Sequence, residues 1–177
     1  MENLEHLKYP IGRFQPPSQL TPDERASLVN QIAALPGELR AAVSGLTPAQ
    51  LDTPYRPGGW TVRQLVHHLA DSHMHAYLRF KWAVAEESPT IKPYDEKRWS
   101  EFPEARTGEI RISLSLLEAL HERWVLFLGS LGEQELAREF HHPELGVVPL
   151  WRNLALYAWH GRHHAAHISG LRQRMRW

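Results

Sequence analysis

Apolar residues recur every three or four positions in four long stretches of the chain, with polar residues between them. In the first stretch Leu28, Ile32, Leu35, Leu39 and Val43 fall on one helical stripe. Thr21-Pro22-Asp23-Glu24 opens it, with Thr as cap, Pro at the first helical position and Glu placed to reach back to the cap. Pro36 predicts a kink, since it has no N–H and crowds the preceding turn. Ser44-Gly45 predicts the end. The second stretch opens on another capping box, Thr61-Val62-Arg63-Gln64, and carries Val62, Leu65, Val66, Leu69, His73, Tyr77 and Phe80 toward an end near Glu87. The third begins near Ser113 or Ser115, turns Leu116, Leu117, Leu120, Trp124, Phe127 and Leu128 inward and stops at Ser130-Leu131-Gly132. The fourth runs from about Pro149 nearly to the C-terminus.

The connections are long. Residues 46–59 and 88–112 read mostly as loop, with short helical pieces expected at 94–101 and 133–139. Residues 1–20, with Pro10, Pro16 and Pro17, predict an extended arm. A faint echo links Leu46, Gln50, Leu51, Tyr55 and Pro57, ahead of the second long helix, to Leu131, Gln134, Leu136, Phe140 and Pro143, ahead of the fourth. No segment keeps a period of two, so no strand is predicted. The expectation is one all-α domain over residues 1–177, a four-helix bundle with long connections and one crossover.

Composition narrows the function. Lys+Arg and Asp+Glu number 20 each, which leaves no basic excess for a nucleic-acid partner. No run approaches the ~20 apolar residues of a membrane span. No signal-peptide pattern opens the chain, so a cytoplasmic protein is expected. The absence of cysteine excludes disulfides, thiolate nucleophiles and iron–sulfur clusters, so any transition metal must be held by nitrogen and oxygen.

Four of the 12 histidines fall in Trp159-His160-Gly161-Arg162-His163-His164-Ala165-Ala166-His167. The pairs His160/His164 and His163/His167 are each one helical turn apart, close enough to share a divalent cation. With Leu150 at 0°, the core stripe takes Leu154, Tyr157, Gly161, Ala165 and Ile168, and His164 and His160 border it at about −40° and −80°. His167 follows at about −100° and His163 at about −140°, so this second pair is expected nearer solvent. The pattern lacks the Glu of a zincin helix. A third ligand can come from the second long helix, where His67, His68, Asp71, His73 and His75 cluster; phase does not choose among His67, His68 and His73.

Tyr55-Arg56-Pro57-Gly58-Gly59-Trp60-Thr61-Val62-Arg63-Gln64-Leu65-Val66-His67-His68-Leu69-Ala70-Asp71-Ser72-His73, together with the residues from Leu156 to Ile168, closely resembles the YfiT proteins of the DinB-like superfamily. The likeness begins at Tyr9-Pro10-Ile11-Gly12 and covers nearly the whole chain. It implies a four-helix bundle of up-down-down-up type, a homodimer, and a metal-dependent hydrolase with one divalent ion per chain, zinc foremost and nickel as the alternative. Carried onto matching positions, the family's ligands are His67, His160 and His164. Some relatives are thiol transferases using bacillithiol or a similar low-molecular-weight thiol, which here would be a cosubstrate because the chain has no thiol of its own.

Zinc on three imidazoles can activate water for hydrolysis of a small-molecule substrate, or present a thiolate to an electrophile. A metal that only staples the second and fourth helices is the non-catalytic alternative. The sequence names no general base. Asp71 is a candidate to orient His67, His167 a candidate neighbour of the site, and Tyr157, Arg162 and His68 candidate wall residues. Trp60 and Trp159 read as packing.

Overall fold

The computed structural model describes residues 5–177. In chain order the elements are α1 (Glu5–Lys8), α2 (Pro22–Val43), α3 (Pro48–Leu51), α4 (Val62–Ala85), α5 (Glu96–Trp99), α6 (Pro103–Thr107), α7 (Ile110–Ser130), α8 (Glu133–Ala137), β1 (Glu139–His142), β2 (Gly146–Pro149) and α9 (Leu150–Met175). The long helices are α2, α4, α7 and α9. Thr21, Thr47 and Thr61 each cap a helix by a reciprocal capping box with Glu24, Gln50 and Gln64, which satisfies N–H groups that a helix start leaves without partners.

Side-chain contacts give the directions. Arg25 reaches the Leu128 carbonyl and Arg40 pairs with Glu118, so α2 and α7 are antiparallel. Arg162 binds Gln31 and Arg172 the Ala42 carbonyl, so α2 and α9 are parallel. Arg63 meets the Gly108 carbonyl, His67 Ser113 and His73 His121, so α4 and α7 are parallel. Ser72 meets Tyr157 and His68 meets His164, so α4 and α9 are antiparallel. The bundle is therefore up-down-down-up, as expected.

Parallel neighbours α4 and α7 require the intervening chain to travel back along the bundle, and that chain roofs one side of α4. Gln64 donates to the Ser100 carbonyl at 2.8 Å, and His75 stacks on Tyr94 with ring centres 4.3 Å apart. Pro93, Tyr94, Glu96 and Lys97 thereby face the gap between α4 and α9.

Several expectations change. α7 starts at Ile110, and its buried stripe is Ser113, Leu114, Leu117, His121, Trp124 and Leu128. Leu116 is 44% exposed, because the residue beside Leu117 is turned about 100° away from it. β1 and β2 form an antiparallel hairpin in register Phe140↔Val148. With four residues each and only Phe140 and Val148 buried, they are too short to show a period in sequence. The arm contains the helical turn α1; Met1–Leu4 lie outside the described residues. The sequence echo corresponds to real geometry: α3 and the Pro54↔Thr61 bridge precede α4 as α8 and the hairpin precede α9.

The core has two apolar clusters. One gathers Phe80, Trp124, Leu128, Leu150 and Leu154, the other Leu39, Leu65, Leu69, Leu117 and Ile168. Gly161 lets α9 approach α2, since a Cβ there would collide with the Leu35 methyls. Leu35 is fully buried and cannot swing away. Gly161→Ala should therefore lower the urea midpoint despite the ~1 kcal/mol that Ala gains over Gly in a helix. Overpacking of about 1–3 kcal/mol outweighs that gain. Adding Leu35→Ala should restore the helix approach.

Candidate metal centre

The antiparallel pair α4 and α9 brings His68, not His67, to His160 and His164. One ligand atom from each of these three side chains lies within 4.8 Å of the others. The His160 and His164 Nε2 atoms are 3.2 Å apart, close to the edge of about 3.3 Å that two nitrogens span at ~2.0–2.1 Å from a tetrahedral ion. The His68 ring centre is 5.5 Å from that of His160 and 5.0 Å from that of His164.

His67, expected as the third ligand, lies apart from His160 and His164. Its ring faces α7: Nδ1 is 2.8 Å from Ser113 Oγ and Nε2 3.3 Å from the Gly108 carbonyl. Adjacent helical residues point about 100° apart, so only one of the pair can face α9. His68 shares that face with Ser72 and Arg79, at i+4 and i+11. His67 shares its own with Arg63, which also bonds Gly108. Asp71 does not orient His67, whose two ring nitrogens are engaged elsewhere.

A line of hydrogen bonds enters the site from behind and touches all four long helices. Pro36 has no N–H, so the Ile32 carbonyl of α2 lacks its helical partner. His121 Nδ1 of α7 takes that place at 2.6 Å. His121 Nε2 lies 3.0 Å from His73 Nδ1 on α4, and His73 Nε2 lies 3.2 Å from His160 Nδ1 on α9. A carbonyl only accepts, so His121 must donate from Nδ1 and, being neutral, accept at Nε2. The same step repeats at His73 and His160. The line therefore protonates His160 on Nδ1 and leaves a lone pair on Nε2, the atom facing His164.

Burial holds these rings neutral. It pushes His68 and His121 down to about 4. His73, His160 and His164 fall well below the usual value, first through burial and then through neighbouring imidazoles. His164 Nδ1 is buried without a partner. If His164 donates from Nε2 to His160, its Nδ1 lone pair is unmet. If it is protonated at Nδ1, that N–H is unmet and two lone pairs face each other. A cation among the three imidazoles resolves the facing lone pairs, so the donor set fits a divalent metal.

His163 and His167, expected nearer solvent, are buried. Their Nε2 atoms are 3.1 Å apart. The cover comes from a neighbour one helical turn away and from two tyrosines distant in sequence. Tyr55 stacks on His167 at 4.1 Å, Trp159 on His163 at 4.4 Å, and Tyr9 of the arm lies 6.1 Å from His163.

Above His68, His160 and His164 opens a cavity of about 620 Å³. Its walls include Trp60, Ser72, Arg79, Tyr94, His142 and Tyr157. Trp60 packs on His68 at 4.6 Å, and the Tyr94 hydroxyl is 3.5 Å from His68 Nδ1. Tyr157 and His68 are wall residues as expected. Arg162 is not: it is exposed and bonds Gln31 across the α2–α9 groove. Among the described residues no helix is long and apolar enough to cross a membrane.

Residues 31–168 match the DinB superfamily. The chain belongs to the DinB superfamily. It is 49% identical over 174 residues to proteins of Bacillus cereus (strain 03BB102) and Bacillus mycoides (strain KBAB4) named "Putative metal-dependent hydrolase", covering 98% of this chain and 100% of each of them. The solved structure of YfiT from Bacillus subtilis, described as "a probable metal-dependent hydrolase with an unusual four-helix bundle topology", superposes with a TM-score of 0.95 at 47% identity, over 97% of this chain and 99% of that one. TT2238, a four-helix bundle protein, shares the fold at a TM-score of 0.55 and 21% identity, over 80% of this chain and 94% of that one. This chain is thus a YfiT-like member of the superfamily, and the relatives' names make metal dependence part of the comparison.

Proposed function

We propose that this DinB-superfamily protein is a metal-dependent hydrolase whose divalent ion is held by His68, His160 and His164. The observation that carries the reading is the convergence of three neutral, largely buried imidazoles on one point at the floor of an open cavity. A divalent metal there supplies Lewis-acid polarisation and makes water acidic enough to attack near neutral pH. The protein's own groups do the rest. The line from Ile32 holds His160 in its ligating tautomer. Trp60 fixes one face of His68. The Ser72, Tyr94 and Tyr157 hydroxyls line the cavity, and burial raises the Tyr94 phenol above its ordinary value. The open cavity argues against a purely structural ion, whose coordination would be closed by protein.

The test is metal analysis of untagged protein, followed by ester and amide hydrolysis assays with and without chelator. About one zinc or nickel per chain, with hydrolysis lost on chelation and restored by metal, supports the reading. Protein that stays metal-free when zinc or nickel is supplied overturns it. Turnover only when a low-molecular-weight thiol and an electrophile are supplied would move the same site to thiol transfer.

The buried histidine line gives a second test. His73→Phe should weaken metal binding about 10–100-fold, the usual effect of losing an outer-shell partner. His73→Gln, which keeps an acceptor for His160 Nδ1–H, should recover part of it. Chelator competition measures the affinity, and ring ¹⁵N spectra read whether His160 still carries its proton on Nδ1.

A further inference from the structure

Arg79 is 8% exposed, lines the same cavity and has almost no partner. Among the described residues its one hydrogen bond runs from Nη1 to the Tyr157 hydroxyl at 3.5 Å, the weak end of the range. Its Nε is buried and unbonded. The ion pairs found among the described residues belong to Arg13, Arg40, Arg63 and Arg106. Glu96 and Glu144 line the cavity without pairing with Arg79.

Arg63, on the same helix, shows what a structural arginine looks like in this fold. It is also 8% exposed, but it holds Asp52 at 2.7 Å and the Gly108 carbonyl at 2.9 Å. A buried guanidinium without such partners is destabilising, and an oxyanion meeting its planar fork removes that cost. Arg79 and Ser72 lie on the His68 face of α4, and His68 to Arg79 spans about 16 Å of helix axis. The Tyr157 hydroxyl is 3.5 Å from both Ser72 Oγ and Arg79 Nη1, and its ring centre is 5.4 Å from that of His160. An anion at Arg79 is therefore one tyrosine side chain away from the histidines. Arg56 and Lys97 also line the cavity, so its fixed cations outnumber the two glutamates.

We propose that Arg79 is the anion-binding group of this cavity, and that the substrate carries an oxyanion, carboxylate or phosphate, at the end away from the histidines. The second half rests on the hydrolase reading; the first does not. The experiment therefore uses metal-free, full-length protein, melted in succinate, inorganic phosphate or chloride at matched ionic strength. A saturable rise in Tm with succinate or phosphate over chloride is expected, and the stronger of the two identifies the anion. Arg79→Met should abolish the rise and, without anion, melt at or above the wild-type temperature, because an uncompensated buried charge is gone. Arg79→Lys, which keeps the charge but loses the fork, should raise the half-saturating concentration about tenfold. Arg63→Met should melt lower. Absence of a saturable rise in the wild type, an unchanged rise in Arg79→Met, or an Arg79→Met protein that melts well below wild type overturns the proposal. Metal content, measured separately, reports on the hydrolase reading alone.

Discussion

The His68→Ala protein is expected to bind no stoichiometric metal, while His67→Ala binds it as the wild type does. The two residues are adjacent and both are buried, so bulk and exposure do not separate them; direction does. His68 lies against the rings of His160 and His164, and His67 lies against Ser113 and Gly108. Loss of His68 leaves two imidazoles, and affinity should fall by well over the 10–100-fold that an outer-shell change costs. Loss of His67 strands the Ser113 hydroxyl in a buried place and should cost about 1–3 kcal/mol of stability. Metal content after dialysis, paired with a denaturant melt of each variant, reads both effects. Metal lost from His67→Ala and kept by His68→Ala would refute the site as the structure draws it.

That distinction shows where sequence reading runs out. Helix starts at Thr21 and Thr61 were legible because a capping box is local. The pair His160/His164 was legible because one helix turn sets its geometry and one stripe of apolar residues sets its side. The choice between His67 and His68 depends on whether a face of α4 meets α7 or α9, which the bundle's connectivity decides. A signal was present: Ser72 and Arg79 extend the His68 face as a buried polar line, which a helix face turned into a bundle keeps only for a purpose. The covering of His163 and His167 was hidden because Tyr9 and Tyr55 arrive from far along the chain. Nothing periodic singles out His121. Its partner is nonetheless written into the sequence at Pro36, whose missing N–H frees the Ile32 carbonyl.

The second large effect is acid lability of the metal-free protein. His68, His121 and His163 are held down to about 4 and His167 to about 3, and His73, His160 and His164 fall well below their usual value, in every case first through burial. Each has a folded pKa below its unfolded value near 6.5. The stability they represent is present above pH 6.5 and is lost as pH falls toward the folded values, because the unfolded chain takes up protons that the fold refuses. Together these seven rings oppose a fold that in a typical domain is held by only ~5–15 kcal/mol. Asp71 acts in the opposite direction. Burial, then Glu104, raises it to about 6, so its contribution is present in acid and lost as pH rises through that value; one group cannot offset seven. Tryptophan fluorescence should therefore show cooperative unfolding between about pH 5 and 6, with several protons taken up at the midpoint. Because a metal binds only the neutral imidazoles, a loaded site should move that midpoint to lower pH. A metal-free protein that stays folded at pH 4, or unfolds with uptake of a single proton, would mean that these rings are not held neutral. The tautomer assigned to His160 would then lose its basis.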